Sequence, residues 1–276
     1  MQSARRPVPS SPRLCAAASI AIALLIGCAA PLPPHRAAEI VDSPDRSEAD
    51  RALDARRKPA ELLSFIGMRP GAVALDVSAG RGYTTELIAR AVGRAGRVYA
   101  QTAPRDATRA APAQAEGAAA PAPPAAAGTA APPALAERAR NPATSNIVPV
   151  VRPFDDPVPP EVARGGLDLV TLIFNYHDLG HLGVDRARMN RAIFDGLQRR
   201  GMYVIADHSG RPGTGISEAG TLHRVEEAFV VAEVEAAGFR LAEQGNFMRN
   251  PADPRDRNTP EPPMPKDEFV LKFVKP

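Results

Sequence analysis

The sequence predicts an α/β domain: a mostly parallel sheet with helices on both faces, closed at its C-terminal side by an antiparallel pair of strands. Three observations carry this expectation. A short apolar run, Val73 to Val77, passes through a small-residue loop into a helical segment, Tyr83 to Val92. Further apolar runs then alternate with helical segments, the pattern of a parallel sheet wound in both directions. Last, two late strand-like runs follow one another with no helix between them, which marks an antiparallel edge.

In the first unit, Leu87, Ile88 and Ala91 fall on one face of the helix. Ahead of it, Ser47 to Ile66 carries Leu62, Leu63, Phe65 and Ile66 and predicts a helix capping the sheet. Strands are expected at Arg97 to Gln101, Asn146 to Val151 and Leu167 to Asn175. A helix over Val184 to Arg199 leads into a strand at Gly201 to Asp207. A second helix, Thr221 to Ala237, precedes the closing strands Phe239 to Gln244 and Glu268 to Lys275. Between the second and third strands, residues 103–133 are mostly alanine and proline without a periodic apolar face, so a disordered or partly polyproline excursion is expected there. It leaves the sheet at the carboxyl edge, where ligands bind in this architecture. Asn250 to Lys266 reads as a long loop inside the closing hairpin.

A chain of 276 residues with 44% hydrophobic content buries a sizeable core without needing a second domain. The formal net charge is +3 and the pI is near 9.1, but Arg5, Arg6 and Arg13 lie in an N-terminal segment expected to be removed. Without them the charge is about zero. No basic run interleaved with aromatics is present and aromatics are only 5%, so nucleic acid is not an expected partner.

The stretch VALDVSAGRGYTTELIA, Val73 to Ala89, points to chemistry. Small residues at Ser78, Ala79, Gly80 and Gly82 let a ligand approach the backbone, and the helix start favours an anionic group. The dinucleotide fingerprint needs a third glycine where this chain has Thr85, which weakens a nicotinamide reading. An acid closing the strand followed by a loop with Gly80 and Gly82 instead resembles motif I of the class I S-adenosylmethionine-dependent methyltransferases, with Ser78 where the first glycine usually stands. The resemblance covers roughly Arg51 to the C-terminus and implies a Rossmann-like, seven-stranded, doubly wound sheet with a C-terminal antiparallel hairpin. It implies S-adenosylmethionine as cofactor and methyl transfer as activity.

It also implies roles for particular residues. Asp76 would help orient the methionine end of the cofactor, although an Asp at a strand end also caps turns. Ser78, Gly80 and Gly82 would line it. At the end of the second strand, where the family places an acid on the ribose hydroxyls, stand Gln101 and Thr102; the glutamine carbonyl accepts one such bond without the strength of a charge. Phe154 and Asp155 would meet the adenine, with Asp156 an equal candidate by spacing.

The acceptor side is read from Asn175, Tyr176, His177 and Asp178, which follow the fourth strand. Methyl transfer requires alignment of the nucleophile and, for a hydroxyl or thiol, removal of its proton. A histidine suits that task, so His177 is the first candidate base and His208, after Asp207, the second. The alternative for either is a hydrogen-bonded structural histidine. Asn175 and Asp178 complete the candidate set, with His223 and Arg224 as outer candidates. His177, Asp178, His181, Asp207 and His208 offer ligand atoms for zinc or iron, but neither an HExxH nor a facial-triad spacing is present, and a metal is not expected.

The N-terminus carries a separate signal: basic Arg5, Arg6 and Arg13, an apolar stretch from Leu14 to Ile26, then Gly27 and Cys28. Leu25 to Cys28 resembles a bacterial lipobox, which implies a signal peptide over 1–27, lipidation of Cys28, a flexible linker over 28–45 and a methyltransferase-like domain over 46–276. Ala29 implies outer-membrane sorting, facing the periplasm. An ordinary signal peptide or an uncleaved anchor is the alternative, and each reading exports the chain. S-adenosylmethionine is made in the cytosol, so two functions stay open: an exported methyltransferase for a small-molecule or envelope acceptor, and a silent binding module for a nucleoside, metabolite or envelope partner.

Overall fold

The computed structural model describes residues 32–104, 135–260 and 262–276. The expectations for residues 1–27 and for Cys28, and nearly all of that for 103–133, lie outside the described residues. The strands are β1 (Val73–Val77), β2 (Arg97–Thr102), β3 (Ile147–Val151), β4 (Leu167–Ile173), β5 (Leu197–His208), β6 (Arg240–Gly245) and β7 (Glu268–Val274). They form one sheet in the order β3-β2-β1-β4-β5-β7-β6. β1 to β5 run parallel and the C-terminal hairpin is antiparallel, as the sequence predicts; within it β7 lies between β5 and β6.

The helices are α1 (Pro34–Val41), α2 (Glu48–Arg57), α3 (Pro59–Ile66), α4 (Tyr83–Val92), α5 (Leu135–Arg138), α6 (Asp178–His181), α7 (Arg186–Gly196), α8 (Ala219–Leu222) and α9 (Glu227–Ala236). Strand alternation sends Ala74 and Asp76 of β1 toward α4, and Leu75 and Val77 toward α7 and α9. Two apolar cores result. One joins Ala37, Ile40, Leu62, Leu63, Leu87 and Ile88 to one face of the sheet. The other joins Met189, Ile193, Val230 and Val234 to the opposite face. No helix among the described residues is long and apolar enough to cross a membrane.

Three local expectations are corrected. Residues 34–41, expected within a flexible linker, form α1: Pro34 starts it with a preset φ, and Ala37 and Ile40 are buried. The helix expected over Thr221 to Ala237 is two helices, because His223 takes a left-handed φ of 50° while Arg224 turns into the interior. There Arg224 binds Asp253 at 2.8 and 3.2 Å and the carbonyls of Ser209 and Arg257, fastening the long loop between β6 and β7. Finally, α7 stops at Gly196 and β5 begins at Leu197, where a helix was expected through Arg199.

The N-terminal helices are tied over the glycine loop by charge. Arg138 of α5 forks onto Asp50 of α2 at 2.8 and 2.9 Å and also reaches Glu86 of α4. Glu86 in turn holds Arg90, which forks onto Asp45. Arg138, Asp50 and Glu86 are all buried.

Candidate functional site

The loop after β1 turns through three left-handed residues: Ser78 at φ 57°, Gly80 at 55° and Gly82 at 88°. A Cβ on Gly82 would lie 2.7 Å from Leu135 Cδ2 and 2.8 Å from Arg138 Cδ, so α5 covers that end of the loop. A Cβ on Gly80 would meet nothing nearer than 3.9 Å, so backbone there is open to a ligand. Ser78 carries the strain that a glycine would avoid, about 1–2 kcal/mol. Two bonds hold it: its N–H donates to Gln101 Oε1 at 2.8 Å, and its Oγ donates to Asn175 Oδ1 at 3.0 Å.

Asp76 lies behind this loop. Thr85 donates to one carboxylate oxygen at 2.6 Å and Thr171 to the other at 2.7 Å, tying β1 to α4 and β4. Burial pushes its pKa up to about 6 against the lowering effect of these two hydroxyls. Gln101 is fully buried, and besides receiving Ser78 N–H it donates to the Arg152 carbonyl at 2.6 Å. Both ends of its amide are thus occupied by protein. Phe154 packs against the second core, Asp155 accepts from Arg188 at 2.9 Å, and Asp156 pairs with Arg152.

Beyond β4 the chain bends at Phe174, whose φ of 60° is unusual for a bulky side chain. The bend aims Asn175 at Ser78 and carries His177 beneath the end of β5. There Asp207 accepts from the His177 backbone N–H at 2.8 Å, from the His208 N–H at 2.8 Å, and faces His177 Nδ1 at 2.7 Å. Full burial works against its ionisation, but the facing His177 and His208 hold its carboxyl below the usual range. An ionised carboxylate only accepts, so Nδ1 of His177 carries a proton. That Nε2 stands 3.3 Å from Asp178 Oδ1, which lies 3.6 Å from His223 Nδ1. His208 flanks this group, its ring 5.5 Å from that of His177, but it stacks on Phe174 at 5.3 Å and its Nδ1 faces Glu268 at 3.1 Å.

Arg57 is a site residue that the sequence reading missed. Its guanidinium lies 4.8 Å from the Tyr83 ring and 5.4 Å from the Phe174 ring, and its buried Nε has no hydrogen-bond partner among the described residues. Burial, with Arg56 alongside, pushes its pKa down to about 10. The sequence places Arg56 and Arg57 inside one helix over Ser47 to Ile66, but the chain breaks at Lys58, φ 46°, so Arg57 ends α2.

Comparison with solved structures gives matches along nearly the whole chain. A S-adenosylmethionine-dependent methyltransferase from Aquifex aeolicus aligns with a TM-score of 0.54 at 15% identity, covering 88% of this chain and 99% of that one. This is the class I methyltransferase fold. The [4+2]-cyclase SpnF shares it at a TM-score of 0.50 and 15% identity, over 80% of this chain and 82% of its own. A chain of the Haloferax volcanii complex containing the Trm112 methyltransferase activator also scores 0.50 at 15% identity, over 87% and 96%. No protein-family model and no curated protein sequence matches. Because a cyclase and a methyltransferase share the methyltransferase fold, the reaction must be argued from the site.

Proposed function

We propose that the chain is an S-adenosylmethionine-dependent methyltransferase whose acceptor lies against His177. The observation that carries this reading is the Ser78–Asn175 hydrogen bond, which joins the glycine loop to the oriented His177–Asp207 pair two residues further on. Cofactor loop and acceptor cluster therefore form one site at the carboxyl ends of the strands, where ligands bind in open α/β sheets.

The residues present fit the cofactor in two respects. Open backbone at Gly80 permits close approach, and Arg57 offers a buried cation suited to a carboxylate. When bound, S-adenosylmethionine supplies a methyl group on a sulfonium, transferred in line to the acceptor as the thioether departs. The protein's part is alignment and proton removal. Asp207 fixes the His177 ring so that Nε2 takes the proton of an acceptor hydroxyl or thiol in the metal-free protein.

A second reading, a binding module without turnover, is favoured by Gln101, whose amide is committed to Ser78 and Arg152. Calorimetric titration of the full chain with S-adenosylmethionine and S-adenosylhomocysteine tests both. Binding tighter than about 100 μM, or about 5.5 kcal/mol, that is lost in Arg57→Met supports cofactor use. A folded protein that binds neither compound overturns it, whereas binding without turnover across an acceptor screen selects the module.

We also propose that the chain is exported and lipid-modified at Cys28, in the outer membrane facing the periplasm. The lipobox-like Leu25 to Cys28 supports this. Cys28→Ser should release the protein from the membrane fraction; retention there would refute lipidation.

A further inference from the structure

The His177 cluster brings together more nitrogen and oxygen donors than methyl transfer needs. Asp207 receives two backbone N–H groups and the ring Nδ1–H of His177, so the ring has no freedom of tautomer or rotation. Its Nε2 therefore points at Asp178 Oδ1, 3.3 Å away. A positive charge, a proton on Nε2 or a cation that replaces it, is required between these two atoms. His223 brings a third. It is held in a left-handed turn between α8 and α9, and its Nδ1 is buried, 3.6 Å from the same Asp178 oxygen, without a hydrogen-bond partner among the described residues.

One ligand atom from each of His177, Asp178 and His223 lies within 4.8 Å of the other two. Bonds of about 2.0 Å to a tetrahedral cation place neighbouring ligand atoms about 3.3 Å apart, so the first two contacts are already close to that spacing. We propose that these three residues bind a divalent first-row transition cation. The donor set decides the class: two imidazoles and one carboxylate suit zinc or iron(II), whereas magnesium and calcium prefer oxygen throughout. Asp207 completes the arrangement as a positioning residue, since an imidazole that binds a metal through one nitrogen characteristically donates the other N–H to a carboxylate. Asp178 and His223 keep partial exposure, with 15% and 27% of their side chains accessible, so the site has an open side for water or an acceptor oxygen.

The two sequence-adjacent ligands come from the β4–α6 junction, and the third from the break between α8 and α9. This is why no linear metal motif exists. A cation on Nε2 would exclude a proton from it, so in the loaded protein the proton of an acceptor hydroxyl or thiol would pass to solvent water on the open side, its pKa lowered by the cation. The site itself stands without the methyl-transfer reading.

The test is titration of the chelator-treated full chain with Zn²⁺ and Co²⁺, followed by calorimetry and by the visible spectrum of the cobalt form. One equivalent should bind, with the intense cobalt absorption of a low-coordinate site. Asp178→Asn and His223→Gln, both on partly exposed side chains, should each weaken binding at least 100-fold, and Asp207→Asn about 10–100-fold. His35→Gln, an exposed position on α1, should leave binding unchanged. Absence of binding, or binding that survives both ligand variants, overturns the site. S-adenosylmethionine affinity measured on the same samples separates that failure from failure of the methyltransferase reading.

Discussion

Asp207 grips His177 at two points, accepting the backbone N–H on one oxygen and facing the ring on the other. Because the second oxygen also receives the His208 N–H, an amide cannot replace the carboxylate without turning an NH₂ toward a backbone N–H. Asp207→Asn is therefore expected to lose about 1–3 kcal/mol of stability in urea unfolding. Nitrogen NMR should show the His177 proton on Nδ1 in the parent protein. The variant should show a second tautomer.

Asp76 gives a pH signature of the opposite sign to an ordinary ion pair. Its pKa is about 6 in the fold against 3.8 as a reference, so the native state holds a proton there that the unfolded chain releases. Above pH 6 its charge opposes folding by about 3 kcal/mol, and the penalty fades as pH falls from 6 to 4. Asp76→Asn should thus gain stability relative to the parent as pH rises from 4 to 7 and then level off. A flat difference across that range would show that Asp76 is not raised.

The two loop glycines should separate stability from binding. Gly82→Ala meets Leu135 and Arg138 and should destabilise by about 2 kcal/mol or more, since overpacking adds to backbone strain. Gly80→Ala has open space and should cost about 1 kcal/mol in stability while weakening S-adenosylmethionine at least tenfold. Thermal melting and calorimetry on the same pair check this.

Arg138→Met strands the buried charge of Asp50, whereas Glu86 keeps Arg90 as its partner. The expected loss is about 3–5 kcal/mol by urea unfolding. Asp50→Asn in the same background should recover part of it, because the stranded charge is removed.

The sheet was legible in the sequence because β1, β3, β4 and the second half of β5 are apolar runs, and Glu268 to Val274 is a further apolar run, buried at most of its positions. The loop of Ser78, Gly80 and Gly82 was legible for its composition. What escaped were features set by distant partners. Nothing local marks Gln101 as a strut between Ser78 and Arg152, and nothing local marks Arg57 as facing two aromatic rings. α1 hid behind its prolines, although Pro34 at a helix start was a readable sign. His223 joined His177 only because the helix breaks at that residue, a break driven by Arg224 reaching Asp253.

Leu32 is buried and its N–H donates to the Met68 carbonyl at 3.0 Å, just ahead of the amino end of β1. Cys28 stands four residues earlier, a leash of at most about 14 Å. The proposed lipid at Cys28 would be tethered within that reach of Leu32, while Ser78 and His177 sit at the carboxyl edge of the sheet, a strand length of about 16 Å from its amino edge. The reactive rim therefore lies at the far edge of the sheet from the point where Leu32 is fastened.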